Sequence, residues 1–314
     1  MNVPSRVLGF FSVIIGGGGL LFSGMALAEE PVLEQDGLGI ELEELLSERG
    51  SLRAEFGVTF GTVRSAGVAG FYQTIQTGTG EFVTVPVGVG QEDRQSEVAI
   101  GTYGLRYGLT DQTELYARTT VRYNHSQFIN RLSGAVEKLS HASLQSLVFG
   151  LNHRFVEEGE FPGVVGFADV SALENVAAQE TRFASGTSGT AGFTAYRVLD
   201  PVVLSLTAGY KFNLERRVGA DRIDPGDTFF FNPSIGFAVN NELTLTGGFG
   251  LNFTGAEKVN GVSGGARATN ADLQFGLAYA WDKETTLRAD ARAEVLGDRG
   301  FTAGMTLTRK FGLR

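Results

Sequence analysis

From Tyr103 to Tyr123 the chain reads YGLRYGLTDQTELYARTTVRY. After a break at Thr110-Asp111-Gln112, Leu115, Ala117, Thr119, Val121 and Tyr123 alternate with Glu114, Tyr116, Arg118, Thr120 and Arg122. After the break, all the charge falls on the second set, at Glu114, Arg118 and Arg122. A β-strand points successive side chains to opposite faces, so one strand can meet two solvents at once. The uncharged face is long enough to cross a bilayer, which takes a strand of about 9–11 residues. The spacing therefore predicts two spanning strands joined by a tight turn.

The same pattern recurs along the chain. It predicts strands at 52–61, 94–109, 113–123, 141–155, 163–173, 189–198, 202–213, 228–239, 242–253, 268–281, 284–294 and 300–311. Asp111-Gln112, Glu157-Glu158-Gly159, Asp200-Pro201, Asn240-Asn241 and Asp282-Lys283 mark short turns. Between them lie longer, Gly- and Thr-rich connections. The largest, 62–93, either projects outward as a hairpin or folds inward as a loop, and 124–140 forms a second large loop. Strand 163–173, GVVGFADVSAL, is apolar on both faces and its frame stays open. Where the frame is clear, only Arg309 charges the apolar face. The other face carries Arg53, Glu55, Glu114, Arg118, Arg122, Lys211, Glu242, Asp272, Arg288, Asp290, Arg292, Glu294 and Lys310. An even strand count, with short turns at one end and long loops at the other, is the pattern of an all-β, transmembrane antiparallel barrel of about twelve strands. A soluble sandwich would also alternate, but it would need a core able to hide all the outward Phe, Leu and Tyr side chains.

The N-terminus changes the picture by giving an address. Arg6 precedes an apolar run from Val7 to Leu27, ending Ala26-Leu27-Ala28 before Glu29-Glu30. This is the layout of a cleaved signal peptide over residues 1–28. Residues 29–50 follow, with Ile40, Leu42, Leu45 and Leu46 at helical spacing among glutamates and Gly50 at the end. They predict a short periplasmic helix, read either as a plug carried by Leu42, Leu45 and Leu46 or as a solvated tether. The barrel then occupies 51–314, and the expected location is the bacterial outer membrane. The chain has no cysteine, so hydrogen bonding and packing must hold the exported fold. A net charge of −9 at pH 7 argues against nucleic acid as a partner. Lipid, and whatever the lumen admits, are the partners expected instead.

The inward charges carry two readings. They form a charged constriction that selects what passes, or a ladder of ion pairs that stiffens a narrow lumen. A barrel of twelve strands lies between filled eight-stranded barrels and open channels of about 16–18 strands. Tyr72, Tyr103, Tyr107, Tyr123, Tyr210, Tyr279 and Trp281 fall near strand ends and suggest an aromatic girdle. A lipid-modifying enzyme would need a nucleophilic serine beside a histidine. His125-Ser126 and His141-Ala142-Ser143 offer the residue types, but no G-x-S-x-G elbow surrounds them. No catalytic residue, metal site or cofactor is assigned. The glycine-rich stretches 247–250 and 261–265 lack a phosphate-loop lysine. The functions left are a channel for a solute or an unfolded polypeptide and a non-conducting structural or adhesive barrel, with a phospholipase-type enzyme less favoured.

Glu44 to Phe60, ELLSERGSLRAEFGVTF, and the YGLTD turn followed by Glu114-Leu115 carry a family likeness. The chain resembles the outer-membrane transporter-type barrels that include phenol-degradation MetA-pathway-like proteins and the secretion channel of functional-amyloid (Fap) systems. The resemblance implies a twelve-stranded barrel over about residues 51–314, passage across the outer membrane, and a homotrimer. The amyloid channel has a longer helical N-terminal region than the twenty or so residues found here.

Overall fold

The computed structural model describes residues 46–65, 72–86, 93–129, 136–176, 182–263, 267–297 and 300–312. The leader and the plug candidates Leu42 and Leu45 lie outside them. Twelve antiparallel strands form the wall: β1 Ser51–Ser65, β2 Asp93–Thr110, β3 Thr113–Ile129, β4 Val136–Val156, β5 Gly163–Asn175, β6 Ser188–Leu199, β7 Val202–Asn213, β8 Thr228–Ala238, β9 Leu243–Thr254, β10 Ala268–Ala280, β11 Thr285–Leu296 and β12 Phe301–Gly312. Each pairs with its neighbour in the chain, and β1 pairs with β12 from Ser51↔Gly312 to Thr62↔Phe301. The sheet is thus closed. Closure matters because lipid offers no hydrogen bonds, so a spanning sheet cannot leave an edge unpaired. The pairing Ser51↔Gly312 also puts the first and last strand ends beside the short turns, on the side taken as periplasmic.

The alternation places the side chains as the pattern predicts. Phe56 and Phe60 of β1, Leu115, Val121 and Tyr123 of β3, and Phe229, Ile235 and Phe237 of β8 are exposed on the outer wall. Glu114, Arg118, Arg122 and Lys211 are buried on the inner one. The outer wall therefore loses no apolar surface to a protein core; lipid is the solvent that covers it. Tyr103, Tyr107, Tyr123, Tyr210 and Tyr279 are exposed as a girdle requires, and Phe56 meets Tyr103 edge-on at 5.1 Å. Trp281 lies in the turn after β10 rather than within the strand, 71% exposed and 6.5 Å from the Tyr279 ring.

Several boundaries differ from the sequence pattern. The expected loop 124–140 is largely strand: β3 continues to Ile129 and β4 starts at Val136, with the pair in register throughout. Polar strand residues beyond the apolar band need only water on both faces, so polarity alone does not end a strand. At Gln145 the register slips by one, and both Gln145 and Ser146 turn inward and are buried. This bulge breaks the alternation locally. Residues 46–50 contain no helix: Leu46 to Glu48 run irregularly, and Arg49 forms an isolated bridge to Gly108. The expected helix otherwise falls on residues outside the described ones. The apolar β5 takes its frame from what lies inside. Val165 packs with Leu46 and Tyr196, and Phe167 lies 6.4 Å from Phe230, while Ala168 and Val170 face out.

The two faces of β9 test this frame. Leu245 is on the exposed outer wall and opposes Phe237 and Leu277. An arginine at the lipid midplane costs about 2–4 kcal/mol. Leu245→Arg is expected to lower urea resistance of the folded barrel by that amount, whereas Thr246→Arg assembles normally. Exchange of the two outcomes would shift the register by one residue.

Candidate functional site: the barrel lumen

The connection between β1 and β2 folds inward. Residues Tyr72–Gln76 and Phe82–Pro86 pair as a ribbon, with Thr77 to Glu81 as its turn. Gly80, at φ +82°, closes the turn; its N–H donates to Thr77 O at 2.9 Å, and Thr77 N–H donates to Glu81 O at 2.8 Å. This left-handed geometry suits glycine. The ribbon obeys period two. Ile75, Val83 and Val85 form an apolar cluster with Val98 and Ile100 of β2. The opposite side presents Thr74, Gln76, Phe82 and Thr84.

Polar contacts fasten the ribbon to the wall. Lys211 Nζ donates to Phe82 O at 2.8 Å, and Gln145 Nε2 to Thr84 O at 3.0 Å. Arg118 Nη1 lies 3.5 Å from Glu81 Oε2. At the tip, Gly78 N–H donates to Thr59 Oγ1 at 3.1 Å, and Gln76 Oε1 accepts from Arg292 Nη1. Phe82 packs on Phe230 with centroids 4.4 Å apart. Phe230 is an inward aromatic, and Gly209 makes room for it: a Cβ there would strike its ring.

Below the ribbon, toward the periplasmic end, a compact charge cluster fills the lumen. Arg106 bridges Glu55 (2.7 Å) and Glu114 (3.0 Å), and Arg118 lies 3.7 Å from Glu55. Tyr116 lies under both guanidiniums and donates to Asp169 at 3.1 Å. Glu114, 0% exposed, also accepts from Asn152 Nδ2 (2.7 Å) and from Ser47 N (2.8 Å) and Oγ (2.5 Å). Ser47 thereby ties residues 46–50 into the barrel mouth. Gly108 permits their approach, since a Cβ would clash with Glu48 O.

The inward charges predicted from sequence thus divide. Glu55, Glu114, Arg118 and Lys211 are locked into ion pairs or hydrogen bonds that fill one side of the lumen. Arg53 and Arg122 also face inward on that side. Asp272, Arg288, Asp290, Arg292 and Glu294, on β10 and β11, line the other side. Lys310 meets Glu48 at 2.6 Å near the periplasmic rim. Glu242 is corrected: it lies exposed in the turn before β9, because that strand begins at Leu243. Of the two readings of 62–93, outward hairpin or inward loop, residues 72–86 follow the inward one, as a paired ribbon rather than a loop. Its signal is the TIQTGTGEFVTV stretch, where flanks of period two surround a Gly-Thr-Gly turn. Arg106 and Phe230, both central to the lumen, were passed over.

A cavity of about 200 Å³ lies between the ribbon and the outer ends of β8–β12 and β1. Among the described residues no group of carboxylates, histidines or cysteines could hold a metal ion. His125 Nδ1 meets Ser140 Oγ at 2.7 Å on the exposed extension of β3 and β4. His153 meets Thr113 Oγ1 at 2.9 Å.

A closed twelve-stranded wall with an apolar outside and a charged, partly filled inside defines an outer-membrane β-barrel. Residues 175–307, from the end of β5 into β12, match the family described as "Putative MetA-pathway of phenol degradation", in keeping with the family resemblance of the sequence. The structure is similar to an outer-membrane channel from Pseudomonas putida F1, with a TM-score of 0.60 and 11% identity over 84% of this chain and 97% of that one. It is also similar to the transport unit of the autotransporter AIDA-I from Escherichia coli (TM-score 0.50, 9% identity, 86% and 92% covered). The CymD monoaromatic hydrocarbon channel aligns at a TM-score of 0.47 with 8% identity, covering 87% and 91%. At such identities the likeness concerns the fold. No curated protein matches the chain.

Glu114 gives the cluster a direct test. Breaking a buried ion pair by removing one partner costs about 3–5 kcal/mol, because the other charge is left uncompensated. Glu114→Ala should lose that much in urea unfolding and make residues 46–50 more accessible to protease. Wild-type stability in this variant would mean that the cluster is solvated rather than packed.

Proposed function

We propose that the protein is an outer-membrane channel that passes a small solute around a fixed lumenal ribbon. One observation carries this reading. The ribbon is fastened mainly to β2, β3, β4 and β7, with further contacts to Phe230 of β8 and Arg292 of β11, and a cavity remains between it and the outer ends of β8–β12. The wall isolates that space from lipid, and its charged lining favours water and polar groups over acyl chains. The cluster around Glu55, Arg106 and Glu114 serves as filling. Asp272, Arg288, Asp290, Arg292 and Glu294 serve as the lining of the pathway. Similar structures are described as channels and transport units, which agrees with a transport role and not with catalysis.

A small solute is favoured over an unfolded polypeptide. The ribbon occupies the space that an extended chain would need, and its tethers would all have to break together. Leu46 and Ser47 narrow the periplasmic mouth in the same way. The partners of this function are outer-membrane lipid and the solute itself. The trimer implied by the sequence resemblance can be checked by crosslinking: bands at three times the monomer mass support it, and monomer alone excludes it.

Planar-bilayer recording tests the function. The full-length barrel is expected to give small, discrete conductance steps. Deleting residues 72–86 should raise the unit conductance several-fold. An absence of steps from both proteins would favour a structural or adhesive barrel instead.

A further inference from the structure

We propose that the outer rim of the barrel, centred on Arg217 and Arg222, binds the phosphate groups of the glycolipid that forms the outer leaflet of the membrane. The proposal does not depend on what the lumen passes.

Two loops that pair with each other build this part of the rim. The connection between β7 and β8 forms a hairpin of Arg216–Val218 with Asp221–Asp224. The connection between β9 and β10 forms another, of Lys258–Val259 with Val262–Ser263. Ile223 pairs with Val259 and Asp224 with Lys258, which joins them into one four-stranded sheet beyond the wall. One face of that sheet turns toward the barrel interior. Arg216 and Ile223 oppose each other on it and are buried. Arg216 Nη1 lies 3.1 Å from Glu174 Oε1, and its Nη2 donates to Oδ1 of Asn213, an inward residue of β7. Alternation sends the next pair the other way: Arg217 and Arg222 oppose each other and both are exposed.

Like charges directly opposite each other destabilise a strand pair. The protein does little to offset this one. Arg222 Nη1 lies 3.8 Å from Glu215 Oε1, but the two side chains are 60% and 50% exposed, and an ion pair in water contributes little. Arg217 meets no carboxylate among the described residues. An anion seated between the two guanidiniums would remove their repulsion. Phosphate suits the place, because a guanidinium offers parallel donors that match its oxygens.

Position selects the source of the phosphate. On the membrane side of the sheet, Tyr210, Phe229 and Phe253 stand exposed in one row across β7, β8 and β9. Tyr210 donates to Asp227 Oδ2 at 2.7 Å, so polar surface begins at this level. The arginines lie beyond the row, past the apolar band, where headgroups are found. The two rims also differ in sign. Exposed charges at the outer rim include Lys138, Arg182, Arg217, Arg222, Lys258 and Arg267, against Glu97 and Glu215. At the periplasmic rim Asp111, Glu157, Glu160, Asp200, Glu242 and Asp282 are exposed, with fewer cations, among them Lys283 and Arg309. Basic side chains at a membrane surface attract anionic lipid, and the phosphorylated glycolipid lies in the outer leaflet.

The test uses the full-length barrel in detergent, titrated with rough lipopolysaccharide and with the same lipid stripped of its phosphates. EDTA is present, so that no divalent cation bridges lipid to carboxylates. The phosphorylated lipid is expected to bind saturably, and the stripped one at least tenfold more weakly. Arg217→Gln combined with Arg222→Gln should weaken binding at least fivefold, whereas Lys283→Gln at the periplasmic rim should change it less than twofold. Thermal unfolding separates a lost contact from a lost fold. Without lipid, Arg217→Gln should leave Tm unchanged or raise it, because it relieves the repulsion; with lipid, it should shrink the rise in Tm that the native protein shows. Equal binding of the two lipids, native affinity in the double variant, or an equal effect of Lys283→Gln would overturn the proposal. Displacement of the lipid by millimolar inorganic phosphate would assign a site for soluble anions instead and would overturn it as well.

Discussion

Every backbone N–H and C=O that enters lipid has to be paired inside the protein, since each unsatisfied group costs several kcal/mol there. This constraint governs the molecule. It forces the twelve strands into a closed ladder, from Ser51↔Gly312 around to the pairing of β4 with β5. Closure in turn creates an inside, and strict alternation assigns every second residue to it. Phe56, Leu115 and Phe237 could not face lipid unless Glu55, Glu114 and Gly236 faced the lumen.

The inside poses a second problem, because a wall of twelve strands encloses more space than its own inward side chains fill. The ribbon 72–86 and residues 46–50 supply the missing volume. Their attachments are of two kinds. Apolar contact of Ile75, Val83 and Val85 with β2 gives adhesion without direction. Lys211, Gln145 and Arg118 then fix position through single directed contacts. On the β8–β12 side Phe230 and Arg292 also touch the ribbon, and a cavity of about 200 Å³ remains beside those contacts. The lumen is thus asymmetric: one side is packed closely around Glu114 and the ribbon, and a cavity remains on the other.

The wall was legible in the sequence because lipid enforces period two over long stretches. Strands such as 202–213 and 243–254 appear where the alternation placed them, to within a residue. The lumen was legible only in part. Inward charges announce themselves, but which of them pair depends on elements far apart in the chain, as with Ser47 and Glu114. The ribbon obeys the same alternation as the wall, yet its five-residue strands are too short to span a bilayer and read as loop. Phe230 and Phe167 are apolar residues on the inner face, a breach of the pattern caused by the ribbon they serve. The ambiguous frame of β5 has the same origin: Val165 and Phe167 point inward because Leu46 and Phe230 wait there. Departures from alternation thus marked the lumenal elements, and could have located them.

Residues 72–86 lie fixed inside the barrel against β7, and a crosslink reports on this placement directly. The native chain has no cysteine, so an introduced pair reports without background. Thr84 Oγ1 lies 3.4 Å from Asn213 Oδ1 across the lumen. Thr84→Cys combined with Asn213→Cys, oxidised in intact outer membranes, is predicted to form an intramolecular disulfide in nearly all folded molecules. Failure of that bridge to form in a folded double variant, with both thiols open to an impermeant label from outside, would show that the ribbon projects from the barrel instead of lying within it.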